Sequence, residues 1–149
     1  MTALVVNPIG ASLEQEFAYN LDVRCHIGAF YPYLVMVDAP AGAFTCELIK
    51  GVSTVFSKSF TSADIKASLS TSNNYAHCFY PIIPDEPIQI EKGIYKLKIS
   101  TSGYTETNYT YLAWAQQFED VQNLMSYTPS GMIENSLAFR LKIYKEGIL

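Results

Sequence analysis

The stretch Gly93-Ile-Tyr-Lys-Leu-Lys-Ile99 decides the fold class, because apolar and polar side chains alternate along it. Its regularly spaced apolar residues are Tyr95, Leu97 and Ile99, and lysines lie between them. Successive side chains of a β-strand point to opposite faces, so this pattern predicts a strand with one buried and one solvated face.

The same alternation recurs along most of the chain. From Phe17 to Ile27 every second residue is apolar, which predicts one long half-buried strand. The run from Tyr33 to Val37 is continuously apolar, as in a strand covered on both faces. In the last predicted strand, Leu137, Phe139, Leu141 and Ile143 point inward, and Arg140 and Lys142 point outward. The residues predicted to fill the space between two sheets are Phe44, Leu48, Leu97, Ile99, Phe139 and Leu141.

Two longer connections interrupt the strands, at residues 61–75 and 118–135. In the first, Thr61 or Ser62 can cap a helix, Asp64 completes a capping box, and Ile65 and Leu69 share one face. The segment from Glu119 to Tyr127 suits either a short helix or a loop. Seven or eight short strands with such crossovers predict an all-β, antiparallel sandwich of jelly-roll or Greek-key type, with one or two short helical turns, as a single domain over residues 1–149.

The composition excludes some functions and leaves one question open. Charged residues make up 16% of the 149 residues, below the usual value of about 25%, and the chain has 11 Tyr and 8 Phe. Either an assembly interface or a surface rich in Ser, Thr and Asn explains this composition. The formal charge of -4 and the absence of a basic run argue against nucleic-acid binding. No export signal or membrane-spanning segment is recognised, so neither export nor a membrane partner is expected.

No residue pattern supports catalysis, a metal or a cofactor. Cys25-His26 and His77-Cys78 resemble metal-binding pairs, but neighbours in a strand point to opposite faces and cannot hold one ion. The three cysteines are expected to be reduced and buried. We therefore expect a protein that is not an enzyme.

Tyrosines are the candidate ligand-binding residues, because a Tyr ring offers a flat apolar face and a hydroxyl group to a sugar or a protein. They lie at strand ends or beside polar loops: Tyr31, Tyr33, Tyr75, Tyr104 and Tyr109. The alternative is that most of them pack on the rim of the sandwich.

The first 13 residues form a possible extended arm for assembly. Its apolar residues include Leu4, Val5, Val6 and Ile9, whereas Pro8 and Gly10 disfavour a helix or a central strand. The arm either covers a neighbouring chain or forms an edge strand of its own domain.

Two segments carry a resemblance to known families: Pro40-Ala-Gly-Ala-Phe-Thr-Cys-Glu-Leu48 and Ile88-Gln-Ile-Glu-Lys-Gly-Ile-Tyr-Lys-Leu-Lys-Ile99. With the Ser/Thr-dense outer positions, they make residues 30–117 similar to the small β-sandwich virion proteins of tailed bacteriophages. That resemblance implies a structural virion protein made in the host cytoplasm, a capsid-decoration, head-fibre or tail component that binds copies of itself or other virion proteins. The second segment also resembles carbohydrate-binding jelly-roll modules, which implies the alternative of glycan or host-surface recognition.

Overall fold

A computed structural model of the chain describes residues 6–20, 22–104, 106–116, 126–128, 131–133 and 137–145. Within this part of the chain, β-strands dominate and the single helix is short. The strands form two antiparallel sheets that pack together, so the fold is the predicted all-β sandwich.

One layer, named the β8 sheet, has the strand order β11-β10-β2-β8-β4-β5. Its strands are β2 (Ser12–Tyr19), β4 (Ala43–Lys50), β5 (Ser53–Phe60), β8 (Gly93–Ser102), β10 (Ser126–Thr128) and β11 (Gly131–Ile133). The alternating stretch from Gly93 to Ile99 lies at its centre, where β8 pairs with β2 on one side and β4 on the other.

The other layer, named the β3 sheet, is organised around one long strand. Its strands are β1 (Val6–Pro8), β3 (Cys25–Val37), β6 (Ala76–Phe79), β7 (Ile88–Ile90), β9 (Tyr111–Ala115) and β12 (Phe139–Lys145). Along one side of β3 run β6, a bridge at Ile82 and β7, and along the other side run β9 and then β12. Each side of β3 is therefore covered by more than one piece of chain.

Side chains from both sheets fill the space between them. Four of the predicted core residues, Phe44, Leu48, Leu97 and Ile99, are 0% exposed. Phe139 and Leu141 are half-buried and pack against the core. The predicted core is thus confirmed, with its β12 members nearer the edge.

The predicted single strand from Phe17 to Ile27 is wrong. β2 ends at Tyr19 and β3 begins at Cys25, and Val23 in the connection is 51% exposed. The Tyr19 hydroxyl donates a hydrogen bond to the Val23 carbonyl and so holds this turn. Apolar residues continued the alternation through the turn by coincidence.

Ile143 pairs with the fully buried Ile27 and so lies on the inner face as predicted, but its side chain is 45% exposed, less buried than expected of an inward position. Lys142 pairs with Ala29 and Ile143 with Ile27, so Gly28 is an extra residue on β3. Such a β-bulge shifts the alternation of faces along β3, where the inward residues on either side of it are Ile27 and Phe30. A Cβ on Gly28 would lie 2.4 Å from Cε2 of Tyr144, whose ring therefore covers this bulge.

The predicted helical turns are confirmed by α1 (Ser62–Ser68). Thr61 is its N-cap, and the Asp64 side chain accepts a hydrogen bond from the Thr61 backbone in a complete capping box. Ile65 is buried, whereas Leu69 is 40% exposed and does not share its environment. The uncertain segment from Glu119 to Tyr127 lies mostly outside the described residues, although Tyr127 belongs to β10.

The described part of the N-terminal arm belongs to its own domain. Val6 pairs with Ala115 at the edge of the β3 sheet, and Ile9 is 1% exposed in the core. Ile9 thus already has its contacts within the chain, and the assembly role of the arm stays a prediction. Leu4 and Val5 lie outside the described residues.

The helix α1, with seven residues, is too short to span a bilayer, and the described part of the chain contains no candidate membrane-spanning helix.

Candidate functional site

The outer face of the β3 sheet is the candidate site, because apolar side chains remain partly exposed there. Beyond the Gly28 bulge, Leu34 and Met36 point into the core and are 1% exposed. The alternate side chains of β3 point outward and are only half-buried: Tyr31, Tyr33, Val35 and Val37. The expectation that Tyr33 to Val37 is covered on both faces is thus met on the inner face alone.

Tyr33 is the centre of an aromatic cluster on this face. It pairs across the strands with Phe79, and the two ring centroids lie 4.9 Å apart in an edge-to-face arrangement. The Tyr33 hydroxyl lies 2.6 Å from Nδ1 of His77, in hydrogen-bond contact. Since β6 places His77 and Phe79 two residues apart, both side chains reach the same outer face.

The strand β12 adds two cations to the cluster. Arg140 pairs with Tyr31, and its guanidinium carbon lies 4.2 Å from the ring centroid of Phe79, in a cation–π contact. The Lys142 ammonium lies 5.4 Å from the ring centroid of Tyr144, and the hydrogen bond with Tyr144 raises the pKa of Lys142. We name this surface the aromatic face; it consists of Tyr31, Tyr33, His77, Phe79, Arg140, Lys142 and Tyr144.

The aromatic face is electropositive. The described residues of β3, β6, β9 and β12 include no carboxylate. Within the described part of the chain, neither Arg140 nor Lys142 forms an ion pair; the ion pairs there involve Lys50, Lys92, Lys96 and Lys98. Although the formal charge of the chain is -4, these two cations have no acidic partner among the residues that the structure describes.

The structure separates the five predicted tyrosines. Tyr31 and Tyr33 lie together on the aromatic face, whereas Tyr75 and Tyr109 lie in loops and are 63% and 81% exposed. Tyr104 is half-buried, and its hydroxyl accepts a hydrogen bond from the backbone N–H of Leu112 at 3.0 Å. Burial raises the pKa of Tyr104. Tyr104 therefore holds the loop against the sandwich, as the packing alternative proposed.

The side chains of Cys25-His26 and of His77-Cys78 do not come together in one site. Cys25 is buried while His26 lies on the outer side, and His77 is in contact with Tyr33. Cys46 is also buried, whereas Cys78 is only half-buried, contrary to expectation. Across the described residues, no group of three His, Cys, Asp or Glu side chains could hold a metal ion.

A shallow cleft of about 380 Å³ lies at one end of the sandwich, lined by Arg24, Lys50, Val55, Gln89, Ile90, Glu91 and Tyr95. The Lys50 ammonium lies 3.5 Å from a Glu91 carboxylate oxygen. The Tyr95 hydroxyl donates to the Glu91 carbonyl at 2.9 Å. Within the cleft, the side chains of Lys50 and Tyr95 thus both contact Glu91.

Sequence reasoning missed His77 and Phe79 as members of the site and placed Arg140 only on an outer face. The alternation of His77 and Phe79 with Ala76 and Cys78 was visible in the sequence. Their position beside Tyr33 depends on the pairing of β6 with β3, which no local pattern encodes.

No protein-family model matches the chain, and no curated protein matches it. The function must therefore be argued from the aromatic face itself.

Proposed function

We propose that this chain is a non-enzymatic structural protein that assembles through its aromatic face with other copies of itself or with other proteins of a virion. The observation that carries the proposal is the composition of this half-exposed surface. Tyr, Phe and Arg are enriched at protein interfaces, and Asp and Glu are depleted there. The aromatic face has this composition, and the outer face of the β8 sheet does not.

The aromatic face exposes apolar surface to water. The half-buried rings of Tyr31, Tyr33 and Phe79 leave apolar area in water beside the outer side chains of Val35 and Val37. Burying apolar area against a partner yields about 25 cal/mol per Å² removed from water. Contiguous exposed apolar area of this kind is typical of interaction surfaces.

The virion is the proposed setting because of the sequence resemblance to the sandwich proteins of tailed bacteriophages. A virion protein present in many copies needs a contact surface and no catalytic residues. The electropositive, aromatic surface is compatible with that role.

Tyr33→Ser combined with Phe79→Ser tests the proposal. The change removes the two central rings of the aromatic face. We therefore expect the association constant of self-association to fall by about tenfold or more, as is usual when two aromatic interface residues are lost. Light scattering after size-exclusion chromatography measures the mass, and circular dichroism confirms folding. The matched control is Thr45→Ala with Ser59→Ala, which removes a 3.1 Å hydroxyl contact from the outer face of the β8 sheet. Unchanged association in a folded Tyr33/Phe79 variant would refute the proposal.

Glycan recognition is the second candidate, and the exposed rings of Tyr75 and Tyr109 favour it. Both lie in loops, apart from the aromatic cluster. Binding to a glycan array that is lost in Tyr109→Ala and retained in the Tyr33/Phe79 variant would support this candidate over assembly.

A further inference from the structure

The partner of the aromatic face is deducible from its charge, on the basis of the assembly proposed above. Arg140 and Lys142 lie two residues apart on β12, so their backbones are roughly 6.5 Å apart. A two-fold contact between identical surfaces would bring the same patch of both copies together. The cations of both copies would then lie in one interface without a described carboxylate from these strands, and they would repel one another. A head-to-tail contact with a different, acidic surface avoids this repulsion.

A matching acidic surface exists on the same chain. The connection between the Ile82 bridge and β7 reads Ile83-Pro-Asp-Glu-Pro87. Asp85, Glu86 and Pro87 are exposed, and Ile83 is 53% exposed. We name residues 83–87 the acidic tip. Within the described part of the chain, neither Asp85 nor Glu86 forms an ion pair.

The acidic tip is held rigidly, which lowers the entropy cost of binding. Before it, Ile82 exchanges two backbone hydrogen bonds with Phe30, of 2.8 and 2.9 Å. After it, Ile88 pairs with Ile27. The Lys58 ammonium donates a hydrogen bond of 2.8 Å to the Ile83 carbonyl, and Pro84 is buried. Two prolines further restrict the backbone of the tip.

We propose that the acidic tip of one copy docks on the aromatic face of the next. Asp85 and Glu86 pair with Arg140 and Lys142 of the neighbouring copy. Ile83 and Pro87 pack on the rings of Tyr31 and Tyr33, as proline-containing segments pack on aromatic surfaces. Because the two contact surfaces differ, repetition of this contact gives a closed ring or an open array.

Charge reversal tests this pairing. Arg140→Glu with Lys142→Glu reverses the face, and Asp85→Lys with Glu86→Lys reverses the tip. Each double variant should raise the dissociation constant of self-association about tenfold or more, because like charges then meet across the contact. The combined fourfold variant has the wild-type formal charge and should restore association to within about threefold of wild type. Sedimentation equilibrium measures all four proteins, and thermal melting confirms that each is folded.

Carbodiimide cross-linking supplies an independent measurement, since it joins a carboxylate to a lysine amine without a spacer. An equal mixture of ¹⁵N-labelled and unlabelled protein should give mixed-isotope cross-links between Lys142 and Asp85 or Glu86. Cross-links of one isotope alone would place the contact within a single copy and would overturn the proposal.

The outcomes separate this inference from the proposed function. If the Tyr33/Phe79 variant loses association but the tip reversal does not, assembly stands and the tip is not the partner. If both reversals weaken association and the fourfold variant fails to restore it, the pairing is wrong. A wild-type protein that stays monomeric at every concentration overturns the contact between tip and face, whereas assembly of the aromatic face with other virion proteins would stand.

Discussion

The two outer faces of the sandwich arise from the same alternation of side chains, yet they differ in the partners of their charged groups and in the apolar area that they expose. On the β8 sheet, Glu14 lies 3.6 Å from Lys96 and 4.0 Å from Lys98. On the aromatic face, Arg140 contacts a ring, and no described carboxylate lies on its strands. On the β8 sheet, charged side chains pair with one another. The aromatic face instead leaves apolar area and positive charge exposed to solvent. A strand pattern thus defines an outer face but not whether water or a partner covers it.

The largest change in the free energy of unfolding is expected for a substitution in the core between the two sheets. Leu97→Ala removes a side chain that is 0% exposed, so we expect a loss of about 2–5 kcal/mol in the free energy of unfolding. Ile94→Ala on the same strand is the control: Ile94 is 60% exposed, and its loss should stay within about 0.5 kcal/mol. Urea denaturation measures both. Equal losses would show that the inner and outer positions of β8 are wrongly assigned.

A smaller change in the free energy of unfolding is expected for a substitution on the outer face of the β8 sheet. Glu14→Gln removes the carboxylate that lies between Lys96 and Lys98, and these side chains are partly exposed. The loss in the free energy of unfolding should be about 0–1 kcal/mol and should shrink as salt screens the charges. Self-association should remain unchanged, in contrast to the aromatic-face variants. A loss that persists at high salt would contradict this interpretation of the β8 sheet.

The smallest expected effect is a difference in the reactivity of two thiols. Cys78 lies on an edge strand of the β3 sheet, and Cys46 lies on an inner strand of the β8 sheet. Burial raises the pKa of the thiols of both Cys78 and Cys46. Thiolates are the reactive form, so native labelling of both should be slow at neutral pH and should accelerate as pH rises. Half-buried Cys78 should react before buried Cys46 and Cys25. Mass spectrometry of the native and unfolded protein checks this order, and rapid native labelling of all three would refute it.

Local patterns were sufficient to predict much of the fold. The alternation of Tyr95, Leu97 and Ile99 identified β8 and its inner face, because a strand with one buried face needs that period. Thr61 and Asp64 identified the helix start, because a capping box is formed by residues three apart. Both signals lie within a few residues of the structure that they predict.

The errors have non-local causes. Leu21 and Val23 continued the alternation although the chain turns between Tyr19 and Cys25. The Gly28 bulge depends on the pairing of β3 with β12, so the three-residue step between the inward residues Ile27 and Phe30 of β3 is not encoded by a local pattern. For the same reason, Tyr31 and Tyr33 were identified one by one, whereas their neighbours on β6 and β12 emerge only when distant strands pair.

The long strand β3 has a consequence for synthesis of the chain on the ribosome. Cys25 pairs with Lys145, and Met36 pairs with both Ala76 and Leu112. The ribosome therefore releases the partners of β3 long after β3 itself, one segment at a time. Non-local pairing of this kind slows folding, and it leaves an apolar strand unpaired during translation. A nascent chain that carries Leu34, Val35 and Met36 without their partner strands is a natural substrate for chaperones that hold exposed apolar segments.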